Sequence, residues 1–391
     1  MGFDIAPGKV AMLQRGEDPT NEVGDVELGL ALREGLEITS DLADIRDCNT
    51  YIITVPTDIN ADKSPNLEPL ISASQSVGTL LKEGDLVIYE STTYPGCTEE
   101  VCVPILQEQS GLSFNYGFTV GYSPERINPG DKERKVTNIL KVTSGSTPEA
   151  AKIVDELYRS IVTAGTHLAP SIKVAEAAKA IENAQRDVNI SFVNELAMIF
   201  DKLGIDTGDV LEAAGTKWNF LPFKPGLVGG HCISVDPFYL AHKAKAVGHH
   251  PAVILSGREI NDRMGLHVAS AVVKLMQSKG LGLSGTRALI LGITFKENTP
   301  DTRNSRVVDV YAELKEFGLQ VDVHDPLADA AAVRSAYGIE LVQELDLSNY
   351  PVVILAVAHD EYRNLNIQTG LGKVVYDIKG VLPREVVDKR L

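Results

Sequence analysis

The stretch VGGHCISVDP, residues 228–237, places a cysteine after two glycines and an aspartate four residues beyond it. A cysteine thiolate is a nucleophile or a metal ligand, whereas an unreactive cysteine is a small apolar residue, and Cys232 alone is open to all three interpretations. Cys97 and Cys102 form a close pair, but no second pair of Cys or His completes a tetrahedron. We therefore predict no metal site.

A second pair of polar residues lies in a run from Ser171 to Gly204 that contains no proline and no internal glycine. Ser171 is a typical N-cap and Gly204 a typical C-terminal stop, so the run predicts one long helix. Lys179 and Asn183 are four residues apart and therefore share a face of this helix. Apolar residues that recur on an approximately helical period predict a partly buried helix: Val174, Ala178, Ile181 and Val188.

Three apolar runs in the first third alternate with helical patterns, as in parallel α/β sheets: 50–57, 85–92 and 118–125. Ligands of such sheets bind at the carboxyl ends of the strands. Thr54, Thr92 and Glu125 fall at these ends.

The last third returns to the α/β pattern, with strands predicted within 286–295, 319–326, 350–359 and 373–380. The sequence therefore predicts an α/β protein with two Rossmann-like domains joined by a long central helix. The predicted domain bounds are 1–168, 169–280, which includes the cysteine loop, and 281–391.

The 391 residues carry a net charge of −16, which argues against nucleic acid or an anionic membrane as the main partner. No apolar run approaches the ~20 residues that span a bilayer. Four cysteines and no secretory signal predict a cytoplasmic protein.

The opening, MGFDIAPGKV, reads as a strand end with Asp4 after it. A Rossmann unit places such an acid after its second strand, to bind the adenosine ribose, with a first strand and a glycine-rich turn ~20 residues or more before it. The alternative is an ordinary N-terminal strand.

Five motifs occur here in the order found in the UDP-glucose/GDP-mannose dehydrogenase family: ESTTYPG, YSPERINPGD, VAEAAKAIENAQRDVN, VGGHCISVDP and LGITFKEN. The chain resembles that family over essentially its whole length. The resemblance implies an NAD-binding domain at 1–168, a central helical domain for dimerisation with the cysteine loop at 169–280 and a UDP-sugar-binding domain at 281–391. ESTTYPGCTEEVCVPIL and KWNFLPFKPGLVGGHC are similar to its UDP-N-acetylglucosamine/UDP-N-acetylgalactosamine 6-dehydrogenases of bacterial surface-polysaccharide pathways. The resemblance implies oxidation of a UDP-N-acetylhexosamine at C6 to the uronic acid, with two successive hydride transfers to NAD⁺.

The resemblance also implies roles for the polar residues. Cys232 becomes the nucleophile that forms a thiohemiacetal and then a thioester. Lys179 and Asn183 hold the oxyanion at C6, and Asp236 partners a water near the thiol. Thr92 lies beside the nicotinamide.

Glu125 assists thioester hydrolysis as a base. Pro129 stands where some relatives have a second glutamate.

By the same resemblance, NAD⁺ is expected at Asp4, Val55, Pro56, Thr57 and Thr92. The substrate is expected at Phe220, Leu221, Lys224, Gly229, Lys296 and Arg303. Gly229 would let the bulky sugar nucleotide approach closely. Arg258 and Asn261 could serve an interface or a site. Family members are commonly dimers built around the long helix, so we expect a homodimer or a higher homo-oligomer.

Family members open with a strand and a glycine-rich turn, so we expect the N-terminal domain of this chain to lack its first strand, pyrophosphate-binding loop and first helix. One alternative function follows: a catalytically silent UDP-sugar-binding fragment without a usable NAD site. A cysteine hydrolase built on His231 and Cys232 is the other, although adjacent side chains rarely form a nucleophile–base pair.

Overall fold

The computed structural model describes residues 1–19, 23–127, 133–365, 367, 370 and 372–391. The chain forms two compact units, Met1–Ala180 and Ile181–Leu391. Pro129 lies outside the described residues. In the described part of the chain, none of the helices combines the length and apolarity that crossing a bilayer requires.

The first unit is an α/β structure. Its strands are β1 Gly2–Phe3, β2 Ile38–Thr39, β3 Thr50–Ile53, β4 Asp58–Ile59, β5 Pro65–Asn66, β6 Asp85–Tyr89, β7 Phe118–Tyr122, β8 Lys141–Gly145 and β9 Thr166–Leu168. Its helices are α1 Pro7–Gln14, α2 Asp25–Arg33, α3 Glu68–Gly78, α4 Val103–Ser110, α5 Pro148–Arg159 and the start of α6, Ile172–Leu203, which continues into the second unit.

The main sheet of this unit has the order β3-β6-β7-β8-β9. The strands β3, β6 and β7 are parallel, so their carboxyl ends meet at one edge, as the sequence predicts. The run Asp85–Tyr89 is buried throughout because β6 is an inner strand covered on both faces. The sequence did not predict β8, which runs antiparallel to β7, or β9.

A separate two-stranded parallel sheet pairs β1 with β2, and Asp4 follows β1 directly. The strand β3 is at the edge of the five-stranded sheet, where 46% of the Ile52 surface is exposed. The expectation that a first strand, a pyrophosphate-binding loop and a first helix are missing before β1 stays a prediction.

The second unit contains the rest of α6 and a parallel sheet of order β11-β10-β12-β13-β14. Its strands are β10 Arg287–Leu291, β11 Gln320–His324, β12 Val352–Leu355, β13 Val374–Asp377 and β14 Lys389–Arg390. Its further helices are α7 Thr207–Gly215, α8 Asp236–Ala246, α9 Ala252–Asp262, α10 Met264–Ser278, α11 Val307–Glu316 and α12 Ala330–Tyr337. Residues of α10, such as Val272, share one hydrophobic core with Ile290 of β10 and Ile354 of β12.

The pattern G-x-G-x-x-G occurs at residues 280–285, between α10 and β10. A dinucleotide-binding loop of this pattern follows a strand and opens a helix, so that the helix N-terminus faces the pyrophosphate. Here the order is helix, turn, strand. Gly280 and Gly285 have positive φ angles and serve the turn, so the pattern does not mark a cofactor site.

The helix α6 begins and ends where the sequence predicts. The Ser171 hydroxyl accepts a hydrogen bond from the Val174 N–H at 3.3 Å, and Gly204 follows the helix with φ +68°. The predicted buried face is wrong, however, because Val174 and Ile181 are exposed. The buried face instead carries polar residues at helical spacing, which we call the polar stripe: Glu176, Lys179, Asn183, Asp187, Ser191 and Asn194.

Candidate functional site

In the first unit, hydrogen bonds join the loops that follow β3, β6 and β7. The Ser91 hydroxyl donates to the Val55 carbonyl oxygen at 2.7 Å, and the Tyr122 hydroxyl donates to the Ser91 carbonyl oxygen at 3.2 Å. The Glu125 N–H donates to the Glu90 carbonyl oxygen at 3.4 Å. The structure thus brings the predicted residues Val55, Thr92 and Glu125 to one edge of the sheet, at the carboxyl ends where such folds bind ligands.

Both carboxylate oxygens of Glu125 accept hydrogen bonds. Oε1 accepts from the N–H groups of Arg126 and Ile127 at 2.6 Å each, and Oε2 accepts from the Lys141 ammonium at 3.1 Å. Lys141 is only 3% exposed and also donates to Glu90 at 3.1 Å. Lys141 could not be identified from the sequence, since a single Lys at the start of a strand gives no signal of pairing with two distant glutamates.

Tyr158 of α5 completes this cluster. Its hydroxyl donates to the Glu90 carboxylate. Burial and the adjacent Glu90 charge together raise the pKa of the Tyr158 phenol well above its usual value, so it stays a donor. The Glu90 carboxylate therefore accepts hydrogen bonds from the neutral Tyr158 phenol and from the buried Lys141 ammonium, and these bonds compensate for its burial.

The predicted cofactor residues belong to different sheets, because Asp4 follows β1 and residues 55–57 follow β3. Asp4 accepts from the Ala6 N–H at 2.9 Å and from the Lys9 ammonium at 2.6 Å. Although partial burial opposes ionisation, these donors lower the pKa of Asp4 below its ordinary value. Val55, Pro56 and Thr57 connect β3 to β4, with Val55 and Thr57 half-buried and Pro56 exposed.

The predicted oxyanion-binding residues share α6. Lys179 is buried at the end of the first unit. Asn183, also buried, belongs to the second unit, where its Nδ2 donates to Asp236 Oδ2 at 2.5 Å. Arg186 donates to Asn183 Oδ1 at 2.7 Å. The Asn183 carboxamide is therefore held at both ends, and Asn183 and Asp236 are brought together as predicted.

Cys232 is a half-buried thiol in the turn before α8. Its carbonyl oxygen accepts from the N–H groups of Val235 at 3.2 Å and Asp236 at 2.9 Å. This turn fixes the separation of the Cys232 and Asp236 backbones and places Asp236 in the first turn of the helix. A carboxylate is favoured at that helix end by the helix dipole.

The two glycines before the cysteine have a packing role. A Cβ at Gly229 would lie 2.4 Å from the Asn304 carbonyl oxygen, and one at Gly230 would lie 2.8 Å from the Phe295 ring. Gly230 also has φ +84°, which disfavours other residues. The expectation that Gly229 is small to admit substrate stays a prediction; within this unit, the backbone at Asn304 also requires that this position carry no side chain.

The start of the cysteine loop is anchored by the polar stripe. Asn194 accepts from the Gly226 N–H at 2.8 Å and donates to the Gly226 carbonyl oxygen at 3.1 Å. Asn194 also donates to Asn261, which in turn donates to Asp187. Arg258 is 2% exposed and donates to Asp187 at 2.6 Å. Arg258 and Asn261 thus hold α9 against α6, a role that neither of the sequence alternatives named.

A cleft in the second unit lies at the carboxyl ends of β10, β12 and β13. Since β11 and β12 flank β10 on opposite sides, this is the point where the strand order reverses, the usual ligand position in such folds. The cleft is lined in part by the predicted residues Gly229 and Lys296 and by Lys379, which the sequence analysis did not single out. Lys379 pairs with Glu297 at 3.4 Å.

The remaining predicted substrate residues lie elsewhere on this unit. Arg303 is largely exposed and pairs through two nitrogens with Asp301. Burial opposes the ionisation of Asp301, but the Arg303 hydrogen bonds lower its pKa. Residues 218–229 have no helix or strand; within them Phe220 is half-buried, whereas Leu221 and Lys224 are exposed.

Comparison with known proteins gives matches over nearly the whole chain. Three domain models of the UDP-glucose/GDP-mannose dehydrogenase family match: the NAD binding domain at residues 1–162, the central domain at 173–263 and the UDP binding domain at 289–384. The chain is similar to the UDP-N-acetyl-D-glucosamine 6-dehydrogenase of Pseudomonas aeruginosa, with 56% identity over 100% of this chain and 93% of that protein. A Salmonella typhi protein of the same name is 54% identical with the same coverage.

Two solved structures have a similar fold. The UDP-D-ManNAc dehydrogenase of Pyrococcus horikoshii superposes with a TM-score of 0.89 at 27% identity, covering 100% of this chain and 92% of that one. The UDP-glucose dehydrogenase of Pyrobaculum islandicum gives a TM-score of 0.89 at 28% identity, covering 100% and 90%.

Proposed function

Because the chain belongs to the UDP-glucose/GDP-mannose dehydrogenase family, we propose that it oxidises the C6 hydroxyl of a UDP-N-acetylhexosamine to the uronic acid, for surface-polysaccharide biosynthesis. The observation that carries the substrate class is the identity of 54–56% over the full chain to two proteins named UDP-N-acetyl-D-glucosamine 6-dehydrogenase. We place the reaction in the cytoplasm because all four cysteines are thiols.

NAD⁺ is the cofactor of this family, and it supplies the acceptor for the hydride that leaves C6. The strand ends of the first unit fit it, since Asp4 offers a carboxylate at the end of a parallel strand and the loops at Val55 and Thr92 are bonded together. Asp4 would bind the ribose, residues 55–57 the adenine side and Thr92 the nicotinamide side.

Cys232 supplies the covalent chemistry. Its thiolate adds to the C6 aldehyde formed in the first oxidation, giving a thiohemiacetal, because an aldehyde loses hydride readily only after a nucleophile has added. Loss of the second hydride leaves a thioester on Cys232. Water then adds to the thioester carbon, and the acid and the thiolate are released.

Lys179 and Asn183 stabilise the C6 oxyanion. Asn183 presents its Nδ2 group and is held through Asp236 and Arg186, which matches the need for donors that do not reorganise during the reaction. Asp236 orients a water near the thiol. Glu125 takes the proton of the hydrolytic water, for which one of its three present donors must give way.

The cleft lined by Gly229, Lys296 and Lys379 recognises the nucleotide, because two ammonium groups at the strand ends attract a diphosphate. Phe220, Leu221 and Lys224 would wrap the sugar diphosphate. Arg303 would bind the substrate after its ion pair with Asp301 has opened.

The exposed face of α6 supports a homodimer. It presents large apolar side chains at helical spacing, which is typical of a surface that another protein covers: Val174, Ile181, Phe192, Ile199 and Leu203. A second copy of the same helix is the occupant that we propose.

The test is NADH formation with UDP-N-acetylglucosamine and with UDP-N-acetylgalactosamine. We expect two NADH per sugar for the wild type and none, or a stalled first oxidation, for Cys232→Ser. Cys48→Ser is the matched control, since Cys48 is the other half-buried thiol and should leave turnover unchanged. UDP-sugar binding without NADH formation by the wild type would favour the silent-fragment alternative.

A further inference from the structure

Glu176 is a buried carboxylate without an assigned role. It belongs to the polar stripe of α6, one helical turn before Lys179, and its side chain is fully buried in the first unit. A buried carboxylate is costly unless several donors compensate it.

Among the described residues, the four hydrogen bonds that this carboxylate accepts come from one short loop. Oε1 accepts from the Thr98 N–H at 2.9 Å, the Thr98 hydroxyl at 2.7 Å and the Thr93 hydroxyl at 3.2 Å. Oε2 accepts from the Gly96 N–H at 2.5 Å. The four donors therefore come from residues 93–98, which follow Thr92 directly.

Thr92 is fixed from its other side as well. The preceding residue, Ser91, is bonded to Val55. Gly96 has φ +95°, so the loop makes a tight turn at the Glu176 contact. Thr92 thus lies between an anchor on the neighbouring strand end and an anchor on α6.

We propose that Glu176 is a positioning residue that fixes Thr92 relative to Lys179, so that the hydride-transfer step depends on it. This inference rests on the proposed function, in which Thr92 lies beside the nicotinamide and Lys179 holds the C6 oxyanion. Hydride transfer requires near-contact distances, and a displacement of ~1 Å lowers such rates ~10²-fold. Burial raises the pKa of Glu176, while the donors from Thr98, Gly96 and Thr93 counter that effect.

The decisive variants are Glu176→Gln and Thr98→Val. A glutamine side chain replaces one accepting carboxylate oxygen with an NH₂ group that faces a backbone N–H donor of the loop, and Thr98→Val removes one hydroxyl donor at nearly constant shape. We expect the kcat for NADH formation to fall about 10- to 100-fold in Glu176→Gln and less in Thr98→Val, with the KM for the sugar nucleotide within about twofold. The deuterium isotope effect with the C6-dideuterated sugar should rise.

The matched control is Glu100→Gln. Glu100 pairs with Lys173 of α6 at 3.6 Å, beside the same loop but on the exposed surface, so its loss should leave kcat and the isotope effect unchanged. Amide hydrogen exchange provides a measurement that needs no turnover. The Gly96 and Thr98 amides should lose protection in Glu176→Gln and keep it in Glu100→Gln.

A folded Glu176→Gln protein with wild-type kcat, isotope effect and amide protection overturns the inference. Were Glu176→Gln to unfold, Thr98→Val decides by the same three readouts. A wild type that binds UDP-sugars but forms no NADH refutes the proposed function, and the exchange of the Gly96 and Thr98 amides then decides on the anchoring by Glu176.

Discussion

Gly229→Ala should lower both activity and stability. The added Cβ would lie 2.4 Å from the Asn304 carbonyl oxygen, about 1 Å inside ordinary van der Waals contact. The obstacle is backbone and cannot rotate away, so the loop must move by about that distance. Overpacking of this kind costs about 1–3 kcal/mol of unfolding free energy.

We also expect a loss of catalysis, because Cys232 follows three residues later in the chain. A displacement of ~1 Å at the nucleophile corresponds to a loss of ~10²-fold in the rate of NADH formation. Gly226→Ala is the control in the same loop, since its Cβ would meet no atom within 4 Å and its φ is not positive. We expect that variant to retain activity within about twofold.

The assay is steady-state NADH formation, combined with thermal unfolding and with the alkylation rate of Cys232 by iodoacetamide. A Gly229→Ala protein with wild-type kcat would refute the reasoning, because the loop would then accommodate a methyl group without moving the thiol. Equal losses in Gly229→Ala and Gly226→Ala would point to chain flexibility instead of the contact with Asn304.

Three further predictions concern stability and assembly. Arg258→Met leaves the buried Asp187 carboxylate without its cation and should cost about 3–5 kcal/mol of unfolding free energy in denaturant titrations. The control Arg263→Met removes an exposed ion pair and should cost less than about 1 kcal/mol. Equal losses of unfolding free energy in the two variants would contradict this prediction. Hydrogen bonds from His359 and from backbone N–H groups outweigh burial and lower the pKa of Asp325 to about 2. The wild type should therefore lose unfolding free energy as the pH falls from about 4 toward 2, and Asp325→Asn should lack this pH-dependent loss. Identical pH profiles of unfolding free energy for the two proteins would refute the prediction. For the dimer that we propose, Ile181→Glu should reduce the mass in sedimentation velocity from two chains to one. An unchanged mass of two chains would exclude the exposed face of α6 as the interface.

The sequence predicted best those elements whose bounds depend on residues close to them in the chain. Ser171 and Gly204 mark the ends of α6 because capping depends on neighbouring residues only. The apolar runs marked the inner strands β6, β10 and β12 for a similar reason, since strands covered on both faces are apolar throughout. Short strands such as β9, which is mostly exposed, carry no such run.

The partners of the site residues could not be predicted, because they are set by tertiary contacts. Nothing near Lys141 in the sequence indicates that it contacts Glu90 and Glu125, which are 51 and 16 residues away. Periodicity also failed on α6, because apolar recurrence identifies the buried face only when the buried side chains are apolar. Asn183 and Asp187 are buried beside partners that are distant in the sequence, Asp236 and Arg258.

The polar stripe has a consequence for how the second unit attains a unique arrangement. An apolar helix face specifies its register against a neighbour less strictly, since apolar cores tolerate other apolar side chains and lose uniqueness before they lose stability. The polar residues Asp187 and Asn194 do not allow a change of register. A shift of α6 by one turn against α9 would separate them from Arg258 and Asn261 and would leave the buried charges of Asp187 and Arg258 without partners. The stripe therefore selects a single register of the two helices, as a buried asparagine does in a coiled coil, and an attempt to stabilise the protein by replacing these residues with leucine would remove that selection.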